Sequence, residues 1–156
     1  MVLYYSRGKK TKVFAELLGE VLGQEVLELE SELNNKGKIG FMLKALSLAF
    51  SAKSYPVTNM AKLQNLPEEI YLCAPIWGGQ MVGPPRYFLE NSDLKKTTVN
   101  LLLTASVPVE KYKKSALEYL GKLQCKKGEA LIFATSSKVP QEPETIKEQL
   151  REILGI

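Results

Sequence analysis

Histidine is absent from the sequence, which removes Ser-His-Asp chemistry and most zinc chemistry from consideration. Cysteine is scarce too. Cys73 sits inside an apolar run and Cys125 near a helix end, so no disulfide framework is expected, and a reducing, cytoplasmic setting fits. No apolar run reaches the ~20 residues of a membrane-spanning helix, so no transmembrane segment is expected. Met1 leads straight into the first apolar run, so no secretory signal is expected either. The excess of one charge sign over the other is also small. Lys plus Arg number 21 against 17 Asp plus Glu, leaving +4 spread along the chain, and no nucleic-acid partner is expected. What is present suits one globular domain over 1–156, with 45% hydrophobic and 24% charged residues.

The chain is organised around its first stretch. Val2-Leu3-Tyr4-Tyr5 reads as a strand buried on both faces. Polarity then changes abruptly through Ser6, Arg7, Gly8, Lys9, Lys10 and Thr11. After Thr11 the period becomes helical, with Phe14, Leu17, Leu18 and Val21 on one side. Thr11 is the expected N-cap and Gly23 the expected left-handed C-cap. A strand, a polar loop and a helix start can hold an anion, because first-turn amides, the helix dipole and Lys9 and Lys10 all favour a phosphate. The loop is not a Walker A motif, since Leu3 replaces the upstream glycine and Lys10 stands where Ser or Thr should follow the lysine. Read alone, it is equally an ordinary turn with solvated lysines.

The remaining elements alternate. Glu25–Leu29 reads as an edge strand, and Ser31–Lys38 as a polar hinge. Ile39–Phe50 reads as a helix apolar nearly all round, expected to pack into the core rather than present an exposed docking surface. Ser51–Pro67 is an irregular connector. Ile70–Ala74 is the third strand, running into Pro75-Ile76-Trp77-Gly78-Gly79-Gln80. Pro84 and Pro85 start a helix with Tyr87, Phe88 and Leu89 inward. Thr98–Thr104 is the fourth strand. Pro108 opens a helix with Val109, Tyr112, Ala116, Tyr119 and Leu123 along one side. Ala130–Ala134 is the fifth strand, and Pro143–Leu154 the last helix, burying Ile146, Leu150 and Ile153.

These stretches together resemble the flavodoxin family. That family opens with an apolar strand and a Ser/Thr-x-Thr-Gly-Asn-Thr phosphate loop, and its third strand ends in a Pro-x-Trp-Gly type loop. Ser6 and Thr11 match the first loop, and Pro75, Trp77 and Gly78 the second. The resemblance continues through Pro85–Glu90 and the strand ending Leu103-Thr104, and is weaker over Ser31–Leu66. It implies an α/β, doubly wound, five-stranded parallel sheet of order 2-1-3-4-5 with helices on both faces. Both loops would then emerge at the switch point between the first and third strands, where ligands bind in such sheets.

The resemblance further implies FMN as cofactor. Ser6, Arg7, Gly8, Lys9, Lys10 and Thr11 would hold its phosphate, and Pro75, Ile76 and Trp77 would wall its ring. The Gly78–Gly79 peptide would face the ring's N5, and Thr104, Ala105 and Ser106 would form a third contact segment, with Tyr112 as a second aromatic wall. The structural alternative for Trp77 is core packing. The first loop departs from the family pattern, because Gly8 and Lys9 replace its central Thr and Gly, so a lysine must take a backbone position usually given to glycine. Val107-Pro108 also replaces the more glycine-rich loop of reductase-like relatives. From Pro75 to Pro85 there is no Asp or Glu, and Arg86 adjoins, so a bound flavin is expected to be a milder reductant than in acidic flavodoxins.

Three functions fit this reading. One is a small electron-transfer carrier working between redox partner proteins. Another is an FMN-dependent quinone or protoporphyrinogen-type oxidoreductase with a small organic acceptor. The last is a non-flavin binding module. Response-regulator receivers are excluded, because no carboxylate follows the first strand and no Asp ends the third. The chain is too short for a nicotinamide domain of its own, so a separate reductase is expected if NAD(P)H is the donor.

Overall fold

A computed structural model describes residues 1–107, 109–135 and 142–156. Strand β1 (Val2–Tyr4) is buried along its whole length, as a run without polar residues must be when both faces of a sheet are covered. It pairs in parallel with β2 (Val26–Glu28) on one side and β3 (Glu69–Trp77) on the other. Next to β3 lies β5 (Thr98–Ala105), and next to β5 lies β6 (Lys126–Ala134), both parallel. The order is β2-β1-β3-β5-β6, with a two-residue strand, β4 (Gln80–Met81), folded back antiparallel onto the end of β3. Counted over its parallel strands, this is the expected 2-1-3-4-5. Strands β3 and β6 run longer than their apolar cores, and β2, whose residues are half-buried, holds the edge.

Side-chain alternation divides the interior. Leu3, Tyr5, Leu72, Leu101 and Leu103 point to one face and pack against Phe88 and Leu89 of α3 (Pro84–Asn91) and Ala116 and Leu120 of α4 (Glu110–Leu120). Val2, Tyr4, Cys73, Leu102 and Phe133 point to the other, against Phe14, Leu17 and Leu18 of α1 (Lys10–Leu22) and Ile146 and Leu150 of α5 (Pro143–Leu154). Burying one such leucine stabilises the fold by about 1.5–3 kcal/mol. Gly23 ends α1 at φ 62°, the left-handed cap expected from its position.

Several expectations are corrected. Thr11 does not cap α1. Lys9 occupies that position and Thr11 lies in the first turn. The helix α2 (Lys38–Ser51) is not a core helix: Leu48 and Ala49 are its buried residues, while Ile39, Met42, Leu43, Leu46 and Phe50 are exposed. A helix touches a sheet along one side, so a sequence apolar all round must leave the rest in solvent unless a further layer covers it. Tyr87 packs against the core as expected but stays half-buried, whereas Phe88 is fully enclosed. Ile153 is exposed, because Leu154 takes the contact with the second core in the last turn of α5. The connector after α2 contains a short 3-10 turn, Met60–Leu63. Pro108, expected to open the fourth helix, lies outside the described residues. That helix runs from Glu110, with Val109 exposed at its cap.

Candidate functional site

At the carboxyl end of β1 the chain continues through Tyr5, whose amide donates to the Cys73 carbonyl at 3.1 Å and extends the ladder. The Tyr5 ring is fully buried and its hydroxyl donates to Asn34 Oδ1 at 2.8 Å. Burial pushes that phenol well above its usual range. Ser6 is buried next, and the chain then turns through Arg7 and Gly8 to Lys9 at φ 62°, a left-handed conformation uncommon for a residue with a Cβ. This is the position at which the sequence put a lysine in place of glycine. The Lys9 carbonyl accepts from the Val13 amide at 3.1 Å, which leaves the amides of the first turn of α1 without intrahelical acceptors.

The loop is tied down on three sides. The Thr11 hydroxyl, buried, shares a 2.8 Å hydrogen bond with the Thr104 hydroxyl at the end of β5. Lys10 Nζ donates to the Thr135 carbonyl at 2.8 Å, just past the end of β6. The Arg7 guanidinium lies 3.9 Å over the Phe41 ring of α2 and donates to the Lys36 carbonyl at 2.9 Å.

Strand β3 carries Pro75, Ile76 and Trp77 past the end of β1. Trp77 therefore lies at a strand end and not in a loop, paired with Gln80 across a two-residue turn. That turn is Gly78–Gly79, at φ 56° and 82°. Tight hairpin turns with positive φ at both positions favour glycine. Side chains would also collide here. A Cβ on Gly78 would lie 2.8 Å from Ala49 Cβ of α2, and one on Gly79 would lie 3.2 Å from the Tyr112 ring. The indole is half-buried and stands T-shaped to Tyr5 (centroids 5.9 Å apart, 75°) and to Phe41 (5.3 Å, 86°).

Between these parts lies a cavity of about 510 Å³, within the size range of small-molecule and cofactor sites. Of the residues singled out in the sequence, Ser6, Arg7, Gly8, Lys10 and Thr11 line it from the first loop. Pro75, Ile76 and Trp77 line it from β3, and Thr104, Ala105 and Ser106 from the end of β5. Lys9, Gly78, Gly79 and Tyr112 are not on its lining. Tyr112 packs behind the hairpin against Gly79. Trp77 also contacts the larger core cluster, so it serves both the wall and the core.

Sequence reasoning missed Lys38, Phe41 and Thr135, which complete the lining. Thr135 follows the fifth parallel strand directly, so the carboxyl-edge rule applied to that strand would have found it. Lys38 and Phe41 carried no such signal, because their placement depends on how α2 is rotated. The lining holds three cationic side chains, Arg7, Lys10 and Lys38, and no carboxylate. Arg86 is not among them. Its guanidinium donates to the Ala52 carbonyl at the end of α2 and lies 4.0 Å over the Tyr119 ring. Among the described residues no cluster of Cys, Asp or Glu is arranged to hold a metal ion. The arrangement offers hydroxyls, cations and first-turn amides at one end and flat apolar surface at the other.

The order of the parallel strands, the helices on both faces and a cavity at the carboxyl edge between β1 and β3 define the flavodoxin-like fold. No family model matches the chain, and no curated protein matches its sequence. Solved structures match over most or nearly all of its length. A protein from Bacteroides eggerthii is 17% identical with a TM-score of 0.62, covering 99% of this chain and 96% of that one. Flavodoxin 2 from Bacillus cereus is 18% identical with a TM-score of 0.55, covering 99% and 97%. A flavoprotein from Lactobacillus acidophilus, solved in complex with FMN, is 17% identical with a TM-score of 0.57, covering 84% and 89%.

Proposed function

We propose that the chain binds FMN in the switch-point cavity and serves as a small electron-transfer carrier. The carrying observation is the polarity of the cavity: Ser6, Gly8, Lys10 and Thr11 at the start of α1, and Pro75, Ile76 and Trp77 at the end of β3. The first group would hold a phosphate monoester through hydroxyls, first-turn amides and charge. The second would lie along a flat tricyclic ring. The donor set fits the group, since a dianion would meet three cations and no carboxylate. The likeness to a flavoprotein solved with FMN supports the same reading. Bound flavin supplies one- and two-electron redox chemistry that no side chain here possesses. The protein's own part is to bind and orient it, with Trp77, Phe41 and Tyr5 forming one aromatic block beside it.

Titrating the apoprotein with FMN, FAD and riboflavin, read by the single tryptophan, tests this. Trp77 emission is expected to be quenched by FMN, with riboflavin at least tenfold weaker. Trp77→Ala should weaken FMN by about fivefold or more. Equal affinity for riboflavin would sink the proposal, because the phosphate end would then contribute nothing.

A second reading, an FMN-dependent oxidoreductase acting on a quinone or protoporphyrinogen-type compound, is favoured by one observation. The exposed apolar side chains of α2 belong to the same helix that lines the cavity through Phe41. Photoreduction of the FMN-loaded protein separates the two readings. Two well-resolved one-electron steps support a carrier that works with partner proteins and a separate reductase. One two-electron step, with turnover of an added quinone, supports the enzyme.

A further inference from the structure

We propose that the outward face of α2 docks this protein onto the surface of an anionic lipid bilayer. Ile39, Met42, Leu43, Leu46 and Phe50 recur at helical spacing and fall within an arc of about 100° on the helix. All five face solvent, with Phe50 88%, Ile39 72% and Leu43 61% exposed. The opposite side of the helix is the one that touches the protein, through Leu48 and the Phe41–Trp77 contact. A contiguous stripe of this kind, with no polar side chain inside it, marks an interaction surface.

Charge selects the occupant. From Leu33 to Pro67 the chain has no Asp or Glu, and Lys36, Lys38 and Lys53 lie beside the two ends of the helix, while Lys44 turns inward with its ammonium over the Tyr55 ring. None of Lys36, Lys38 and Lys53 forms an ion pair among the described residues. Lysines beside an aliphatic and phenylalanine stripe suit this side of the helix to lying in a membrane interface, its other side being packed against the protein. The stems extend along the apolar boundary and the ammonium groups meet lipid phosphates. An acidic protein surface is the competing occupant, since Met42 and Phe50 are residue types that protein interfaces also favour, and sedimentation with vesicles separates the two. Among the described residues no helix is long and apolar enough to cross a membrane, so the contact would lie on the surface. Phe41 and Lys38 of the same helix line the cavity, so docking would hold the cavity close to acceptors dissolved in the lipid.

The test is sedimentation of the full-length protein with vesicles of phosphatidylcholine and phosphatidylglycerol in equal parts. The expected result is co-sedimentation that falls at least tenfold with phosphatidylcholine alone or in molar salt. Lys36→Gln and Lys53→Gln should each weaken partition by about fivefold. Leu43→Asp with Phe50→Asp should abolish it without changing circular dichroism, because both side chains already lie in water. Quenching of Trp77 by FMN, measured on the same double variant, should be unchanged, so the docking proposal and the FMN proposal fail separately. Wild-type protein that stays in solution with anionic vesicles would overturn the proposal. So would a double variant that still binds them, or a wild-type dimer that ignores vesicles and dissociates in the double variant.

Discussion

The hydroxyls of Thr11 and Thr104, 93 residues apart in sequence, meet at 2.8 Å and clamp the first turn of α1 to the end of β5. Both are buried, so each depends on the other for its hydrogen bond. Thr104→Val should cost about 1–3 kcal/mol of unfolding free energy, because it strands a buried hydroxyl. The double change, Thr11→Val with Thr104→Val, should cost clearly less than the sum of the two singles. Urea denaturation of all four proteins measures the coupling. Strict additivity would show that the pair contributes nothing.

Lys9 holds a left-handed backbone at φ 62°. Lys9→Gly relieves about 1–2 kcal/mol of local cost but gives the unfolded chain more freedom, so the net gain should be below about 1 kcal/mol. Lys9→Val should instead destabilise by more than about 1 kcal/mol, since β-branched residues fit this region worst. Thermal midpoints of the two variants should therefore move in opposite directions.

Charge around the cavity comes from Arg7, Lys10 and Lys38, and Arg86 is turned away toward Ala52 and Tyr119. In FMN-loaded protein, Lys10→Gln or Lys38→Gln should lower the second one-electron potential. A unit charge ~10 Å away at an effective dielectric of ~40 is worth about 0.8 kcal/mol, or roughly 35 mV. Arg86→Gln should move it much less. Dye-equilibrated titrations at two ionic strengths test this, and salt should shrink the lysine effects. Equal shifts from all three variants would mean that position relative to the cavity is immaterial.

Alkaline pH should destabilise this fold early. Burial raises the pKa of Tyr4, Tyr5, Tyr119 and Cys73, the last fully buried. Each is an acid held neutral in the folded state while its unfolded counterpart ionises. Stability is therefore retained below the unfolded pKa values, about 8.5 for Cys and 10 for Tyr, and falls as pH rises beyond them. The slope should reach about 1.4 kcal/mol per pH unit for the fully buried Tyr5 and Cys73, and less for Tyr4 and Tyr119, which solvent reaches. Urea midpoints at about pH 8 and about pH 11 check the sign, and Tyr119→Phe should flatten the fall.

Much of the architecture was legible in the sequence. Val2–Tyr5 and Ile70–Ala74 are apolar without interruption, which only doubly covered strands tolerate, and Gly23 and Pro143 mark helix ends chemically. The carboxyl-edge rule then brought Ser6 and Pro75 to one place, and the family resemblance added Thr104. What stayed hidden depends on rotation and on distant partners. The period of α2 could not say which side faces the sheet, so Phe41 was missed and Ile39 was expected inside. Thr11 suits a cap by composition, but its partner is Thr104. Arg86 looks adjacent to the tryptophan segment in sequence, yet the first turn of α3 sends it to α2 and α4.

The bonds that close the cavity connect residues far apart along the polypeptide. Thr11 and Thr104 are separated by 93 positions, and Lys10 and Thr135 by 125. Contacts of such high sequence separation cannot form until the later partner has left the ribosome, and their loop-closure entropy makes them slow to form. The pocket is therefore complete only after Thr135 has emerged, long after its first wall, Ser6. Any ligand that needs all of its walls would bind only chains that have emerged past Thr135, and its appearance in a nascent-chain experiment would time the closing of the cavity.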